Sequence, residues 1–373
     1  MMKFTIHKSD IVDVLGKVQG LTGRRSSLAV TECVLIQADE NGIHITATDL
    51  ETGFEGRYPA VVESPGTIAI SARKFYEIIR EFPSPDVLVD ESENRWINIG
   101  NQKVQYHLMA MNPKDFPDTP TIEALDFFEV EAGALKKMID KSIIISGIGE
   151  DKKAHINGVW FERLAEHEPP IIRMVSTDGS RLSKYDLVIS GEGDPPAGDS
   201  VLVPKKGLHE ISKFLNVGGK ILVAVQGSYF VIKSEKETFY VRLLEGQFPQ
   251  YDQIIFRDNG HAIEMEKEPF LSMLKRMSIL CTDSYRAAMF RFDTGEFVIN
   301  ATNPDIGESK EDMAIDYQGQ RFEAAFNPKF FIEAVNNIDE KNIIIDILSE
   351  DKPCLISGVE DKSYLNAIMP MRV

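Results

Sequence analysis

The 373 residues exceed one ordinary domain, and 43% hydrophobic with 27% charged residues is the composition of a folded soluble chain that buries large cores unaided. The three cysteines, Cys33, Cys281 and Cys354, make no CxxC pair, which excludes a disulfide framework and a cysteine-rich zinc site. A formal net charge of −17 excludes a generally basic surface, so any contact with nucleic acid must rest on locally gathered cations.

The first ten residues have no apolar run of the signal-peptide kind. No apolar stretch approaches the roughly 20 residues of a membrane span, so a cytoplasmic protein is expected.

In chain order the predicted elements begin with a strand from Phe4 that passes into a helix with the buried stripe Ile11, Val14 and Leu15, and Ser9 is placed as its N-cap. A strand over Ile43–Ala47 then leads to Thr48-Asp49-Leu50. A strand from Ile68 runs into a second helix carrying Lys74, and alternating strands fill Val87–Met109. The proline-rich stretch from Asn112 to Pro120 reads as the approach to a linker.

The same order returns from Phe128. The helix stripe is Leu135, Met138 and Ile139, the turn is Thr177-Asp178-Gly179, the second helix carries Lys206, and strands fill Lys220–Leu243. The stretch Gly191–Asp199 is a solvated loop inside this copy. A third copy starts at Ile263, with Pro269 in its first helical turn, the stripe Phe270, Met273 and Leu274, then Thr302-Asn303-Pro304, Lys329, and strands over Asn342–Met369. Each copy is about 125 residues long. The boundaries fall near Phe127 and Gly260, giving domains 1–126, 127–259 and 260–373.

Two helices cannot cover both faces of about eight strands, so the expected class is α+β with helices on one face. Open sheet edges then need partners, and repeated modules supply them edge to edge.

Enzymatic patterns are weak. Ser71-Ala-Arg-Lys74 matches SxxK without the Ser-Asp-Asn and Lys-Thr-Gly elements that accompany it, so a strand-to-helix junction is the better reading. There is no Walker loop, GxGxxG or HExxH. Asp49 and Asp178, matched by Asn303, recur once per copy and read as turn-forming side chains rather than paired catalytic carboxylates. Asn300-Ala-Thr302 is a formal glycosylation sequon with no meaning in a cytoplasmic chain. No enzyme activity, metal or cofactor is expected.

Ala47-Thr-Asp-Leu-Glu51, Ala72-Arg-Lys-Phe75, Asp115-Phe-Pro117, Ile156-Asn-Gly158, Ser176-Thr-Asp-Gly-Ser-Arg-Leu182, Val203-Pro-Lys-Lys-Gly207, Gly246-Gln-Phe-Pro-Gln-Tyr251 and Met369-Pro-Met-Arg-Val373 stand in order across the three copies. With the start Met2-Lys-Phe-Thr-Ile, they make a chain that resembles, over essentially its whole length, the bacterial DNA polymerase III beta subunit, the DNA sliding clamp.

The resemblance implies three clamp domains, each with two inner helices and outer sheets, and two chains joined head to tail as a homodimeric ring around duplex DNA. It implies a processivity factor that tethers the replicative polymerase and docks the clamp loader and repair proteins through short peptide motifs. A clamp-like scaffold without ring closure is the alternative, and a hydrolase on repeated modules a more distant one.

A ring holds DNA by topology and needs only sequence-independent phosphate contacts. Lys17, Lys141 and Arg276 match in the first helices. Lys74, Lys206 and Lys329 are matched in the second, reinforced by Arg73 and Lys205, and all are expected to face the hole. Arg25 resembles a DNA-contacting loop residue of the family.

The peptide pocket carried over from the family is Ile156, Thr177, Gly179, Arg181, Leu182, Pro249, Phe330, Met369, Pro370, Met371 and Arg372. Ser180, Phe330, Lys153 and Val373 depart from residues common in the family, which bears on motif preference. The dimer contact is expected to use Tyr106 and Leu108 against Ile279 and Leu280, with Lys103 meeting Glu308 or Glu311.

Overall fold

The computed structural model describes residues 1–23, 28–120, 126–145, 153–189, 200–215, 218–255 and 260–372. The first repeat comprises β1 (Lys3–His7), α1 (Lys8–Thr22), β2 (Cys33–Asp39), β3 (Gly42–Thr48), β4 (Thr52–Tyr58), β5 (Val61–Ser64), β6 (Gly66–Ser71), α2 (Ala72–Glu81), β7 (Asp86–Glu91), β8 (Trp96–Gly100) and β9 (Gln105–Met109). The second comprises β10 (Phe128–Glu131), α3 (Ala132–Ser142), α4 (Ala154–Asn157), β11 (Gly158–Leu164), β12 (Ile171–Thr177), β13 (Arg181–Val188), β14 (Val201–Pro204), α5 (Lys205–Phe214), β15 (Lys220–Gln226), β16 (Tyr229–Lys233), β17 (Glu237–Arg242) and α6 (Asp252–Ile255). The third comprises β18 (His261–Glu266), α7 (Lys267–Met277), β19 (Ala288–Asp293), β20 (Glu296–Asn303), β21 (Gly307–Ala314), β22 (Phe322–Phe326), α8 (Pro328–Asn336), β23 (Asn342–Ile347), β24 (Cys354–Gly358) and β25 (Tyr364–Ile368). No helix among the described residues is long and apolar enough to cross a membrane.

The helix stripes read from sequence are the buried faces. Ile11, Val14 and Leu15 of α1 are fully buried, as are Leu135, Met138 and Ile139 of α3, and Phe270, Met273 and Leu274 of α7 are nearly so. Ser9 does not cap α1. The helix starts one residue before it, at Lys8 after His7, and the Ser9 hydroxyl lies 2.8 Å from His7 Nδ1 instead. The backbone N–H of Lys8 is satisfied by the Pro85 carbonyl, so no side-chain cap is needed there.

The strands of a repeat, nine in the first and eight in each of the others among the described residues, do not form one sheet. They split into two, and halves of neighbouring repeats fuse. One eight-stranded sheet runs β10-β15-β16-β17-β4-β3-β2-β6 and another runs β14-β11-β12-β13-β25-β24-β23-β18. The fusions are antiparallel ladders between β17 and β4 and between β13 and β25. Gly53 sits opposite Tyr240 in the first, where a Cβ would fall 2.0 Å from the ring, so only glycine admits that side chain.

The chain therefore divides into two compact units that cut through the second repeat: residues 1–136 with 206–243, and residues 137–189, 200–205 and 244–372. Each is built around one fused sheet. In the first, α1 packs on α2, with Gly16 against the Tyr76 ring and Gln19 Nε2 donating to the Ala72 carbonyl at 3.4 Å. In the second, Phe270, Phe290, Phe297, Phe326 and Phe331 pack mostly edge to face between the α7–α8 pair and the sheet β21-β20-β19-β22.

Two sheet edges of this kind are left without a neighbour. β9 ends the sheet β5-β1-β7-β8-β9, and β21 ends the four-stranded sheet of the third repeat.

Candidate partner pocket and cationic surface

The turn between the second and third strands of each half-sheet has one design. Thr48 Oγ1 donates to the Thr52 carbonyl, and Asp49 Oδ1 accepts from the N–H groups of Glu51 and Thr52. Thr177 Oγ1 donates to the Arg181 carbonyl, and Asp178 Oδ1 accepts from Ser180 and Arg181. Asn303 Oδ1 accepts from the Asp305 N–H. These are Asx turns, as the repetition implied. The third turn residue has positive φ, 75° at Leu50 and 87° at Gly179, a conformation that favours glycine.

Around the second turn the structure gathers part of the expected pocket. Arg181 lies opposite Ile368 and Leu182 opposite Ala367 in the β13–β25 ladder. Segment 369–371 is pinned at both ends: the Met369 N–H donates to the Ser180 carbonyl (2.9 Å) and the Met371 N–H to the Ala325 carbonyl (2.7 Å). The second bond belongs to a bridge present in every repeat, Ala69 with Met111, Leu202 with Leu244 and Ala325 with Met371. Met369 and Arg372 are exposed, and Pro370 and Met371 half-buried.

The Arg181 guanidinium lies 4.2 Å from the Phe330 ring centroid and pairs with Asp178 (3.0 Å) and Glu333 (2.6 Å). Ile156 and Thr177 are buried; the Ile156 carbonyl accepts from Lys205 Nζ at 2.5 Å. Pro249 is exposed, and its neighbour Phe248 stacks on Trp160 at 5.6 Å.

Sequence reasoning missed the apolar floor. Val175, Leu182, Tyr251, Leu355 and Ala367 form one cluster, with Trp160, Phe248, Ile254, Ile255 and Leu365 packed against it and still partly accessible. Tyr251 closes the quoted segment Gly246–Tyr251, so its signal was on the page. Leu355 and Leu365 come from strands of another repeat and had none. The Tyr251 hydroxyl donates to Glu162 at 2.5 Å, and burial raises its pKa above that of an exposed tyrosine.

The cations divide by exposure. Lys17, Lys141 and Arg276 are each the tenth residue of their helix, as aligned. Lys17 is nonetheless mostly buried between Asp13 (2.8 Å) and Glu237 (3.0 Å). Lys141 is buried with its ammonium 2.8 Å from Asp339, and Lys137 and Lys141 together hold the Asp339 carboxyl down at about 2. Arg276 is half-exposed and held by Glu311, with Nε 2.9 Å from Oε2.

The match in the second helices shifts by one residue. Counted from the residues preceding the helices, Ser71, Pro204 and Asn327, the equivalents are Arg73, Lys206 and Lys329, followed at the same spacing by buried Phe75, Leu208 and Phe331 and by Glu77, Glu210 and Glu333. Lys74 falls one place later. Lys206 reaches Asp49 and Glu51, both at 3.0 Å. Lys205 is mostly buried, and desolvation pushes its ammonium down to about 8. Arg25 lies outside the described residues, as does Val373.

On the edge strands, Tyr106 and Glu308 are exposed and Leu108 and Glu311 half-buried; off them, Lys103 before β9 is exposed, and in the turn after α7 Leu280 is half-buried and Ile279 is 74% exposed. Met109 and Ile306 add further exposed apolar surface.

Repeated α+β modules that share sheets across their junctions, with a pinned C-terminal segment beside them, define a modular clamp-type fold. The chain belongs to the DNA polymerase III beta subunit family. The family models of its N-terminal, central and C-terminal domains match residues 2–120, 129–250 and 252–372. The chain is 26% identical to the beta sliding clamp of Chlamydia pneumoniae, covering 100% of this chain and 99% of that one, and 26% identical to that of Vibrio cholerae, covering both fully. Among solved structures it is similar to the DNA polymerase sliding clamp of Pseudomonas aeruginosa, with 25% identity, a TM-score of 0.89 and full coverage of both chains. It shares the fold of the Bacillus subtilis sliding clamp, with 23% identity, a TM-score of 0.92 and coverage of 100% and 99%. The family's role is that of a processivity factor in DNA replication.

Proposed function

We propose that two copies of this chain close head to tail around duplex DNA and tether a polymerase there without catalysing a reaction. The observation that carries this is the pair of unpaired edges. In both internal junctions the last strand of one repeat pairs with the third half-sheet strand of the repeat before it, as β17 with β4 and β25 with β13. β9 and β21 are the two strands of those kinds that remain.

The internal junctions also supply a register. Phe239 faces Phe54, and Asn366 faces Ser183. Tyr106 matches Phe239 and Asn366 through their partners Ile99, Ile232 and Ile356. Ser309 matches Phe54 and Ser183, since Glu308, Gly53 and Leu182 pair with Thr302, Thr48 and Thr177. Tyr106 therefore sets against Ser309 of a second copy, which puts Lys103 beside Asp312 rather than Glu308 and leaves Glu311 to Arg276. A heterologous contact that closes after two copies satisfies both edges.

Arg73, Lys74, Lys206, Lys329 and Arg276 are the accessible members of the cationic set and the candidates for phosphate contact. Lys17, Lys141 and Lys205 serve the fold. Partner peptides contact the partly accessible side chains Trp160, Phe248, Leu365, Met369 and Met371, backed by the buried Leu182 and Tyr251, where methionines adapt to varied apolar side chains. Ser71 and Lys74 favour the non-catalytic reading: the Ser71 hydroxyl accepts from the Lys74 backbone N–H, and Lys74 Nζ binds Glu77. The domain boundaries proposed are 1–126, 127–259 and 260–373.

Light scattering at micromolar concentration tests the ring. A mass near twice 41.9 kDa, with retention on circular but not linear DNA, is expected. A strict monomer favours the scaffold without ring closure.

A further inference from the structure

Glu210 and Glu333 hold equivalent places in α5 and α8 but have different fates. Glu210 is buried against α1, where Gly20 leaves room for it: a Cβ there would lie 2.0 Å from its Oε2. The residue matching Gly20 in the next repeat, three places after Lys141, is Ile144. Glu333 turns instead to Arg181, and an open chamber of about 760 Å³ remains, bounded by Ile144, Arg181, Phe330 and Glu333.

The rest of its lining is polar and mixed in sign, with Arg286, Lys329, Asp283 and Asn336. Arg181 is committed to Asp178 and Glu333. Lys329 and Arg286 are exposed and have no carboxylate within ion-pair distance among the described residues; Arg286 Nε donates only to the Asp283 backbone carbonyl. Two cations thus line one cavity outside any ion pair, although Asp283 and Glu333 share its wall.

This inference rests on the pocket reading above. Arg181 belongs to both places: its backbone lies in the ladder beside segment 369–371, and its guanidinium covers Phe330 in the chamber wall. We propose that the chamber receives acidic side chains flanking the apolar core of a docked peptide, seated between Lys329 and Arg286. A concave chamber of this size admits a flexible side chain that can place its carboxylate between two cations, whereas the backbone of a rigid duplex cannot enter it, which favours a peptide over duplex DNA.

The test uses two peptides that share an apolar core and differ only in whether aspartates or asparagines precede it, titrated by calorimetry at low salt. The acidic peptide is expected to bind roughly tenfold tighter. Lys329→Glu with Arg286→Glu, both on exposed positions, should erase that difference while leaving the affinity for the asparagine peptide unchanged. Equal binding of the two peptides to the native protein overturns the chamber and leaves the pocket standing. Failure of both peptides to bind overturns the pocket and the chamber with it. If the double variant keeps the peptide preference but loses retention on circular DNA, the cations serve the duplex and the proposal falls.

Discussion

Leu50 and Gly179 occupy one turn position, and only one of them suits it. An L-residue with a side chain pays roughly 1 kcal/mol for left-handed backbone, and Leu50 is half-exposed, so its packing offsets little. Leu50→Gly should leave stability unchanged or raise it by up to about 1 kcal/mol, read by urea unfolding; a loss above that would mean the Leu50 side chain packs more than its exposure suggests.

Lys205 gives a second test at this scale. Its folded pKa of about 8 lies below the 10.5 of an exposed lysine, so between those values the unfolded chain binds more protons than the folded one. Stability therefore rises with pH through that window, and the cost of the buried charge is fully present below it. Compared with Lys205→Met, the native protein should gain stability between about pH 8 and pH 10.5. Parallel pH profiles would show that the ammonium is not desolvated.

At the scale of the element, segment 369–371 is held by two backbone hydrogen bonds, one to a turn and one to β22. Removing residues 369–373 opens the apolar cluster beside Leu182 on that side. Polymerase-type peptides should no longer bind, while the solution mass stays that of the dimer, because β9 and β21 are untouched. Undiminished peptide affinity on a calorimeter would move the pocket elsewhere.

The helices show how local signals carry. Their buried stripes were legible because 3.6-residue spacing is written into the chain. The cap of α1 was not, because the Pro85 carbonyl that satisfies Lys8 comes from another element. Likewise the lysine match in the second helices slipped by one residue, since the buried Phe75, Leu208 and Phe331 that fix the register look like any apolar residue until the core is seen.

At the scale of the whole molecule, Ile279 is the sharpest probe of the proposed junction. It is 74% exposed in one chain, so Ile279→Asp should cost the monomer at most about 0.5 kcal/mol. In the dimer it would place a carboxylate on an apolar contact, and the mass should fall to that of one chain. A dimer that persists at micromolar concentration would exclude this face. Charge reversal separates the two classes of cation. Arg73→Glu with Lys74→Glu, both on exposed side chains, should weaken retention on circular DNA and make it less steeply dependent on salt, with little change in Tm. Lys141→Glu should instead lower the Tm, because it sets a second carboxylate against Asp339 in a buried place.

Repetition, strand and helix periodicity, the Asx turns at Asp49, Asp178 and Asn303, and the family resemblance all lie in the sequence, because each depends on residues close together or on order along the chain. The tertiary structure decided what depends on neighbours distant in sequence. It showed that half-sheets of successive repeats fuse, so that compact units cut through the second repeat. It brought Leu355, Leu365 and Tyr251 to one apolar cluster, and it separated cations that look alike in the chain. Lys141 and Lys206 are both lysines on the inner helices, but Lys141 is buried beside Asp339, whereas Lys206 keeps part of its side chain accessible while pairing with Asp49 and Glu51.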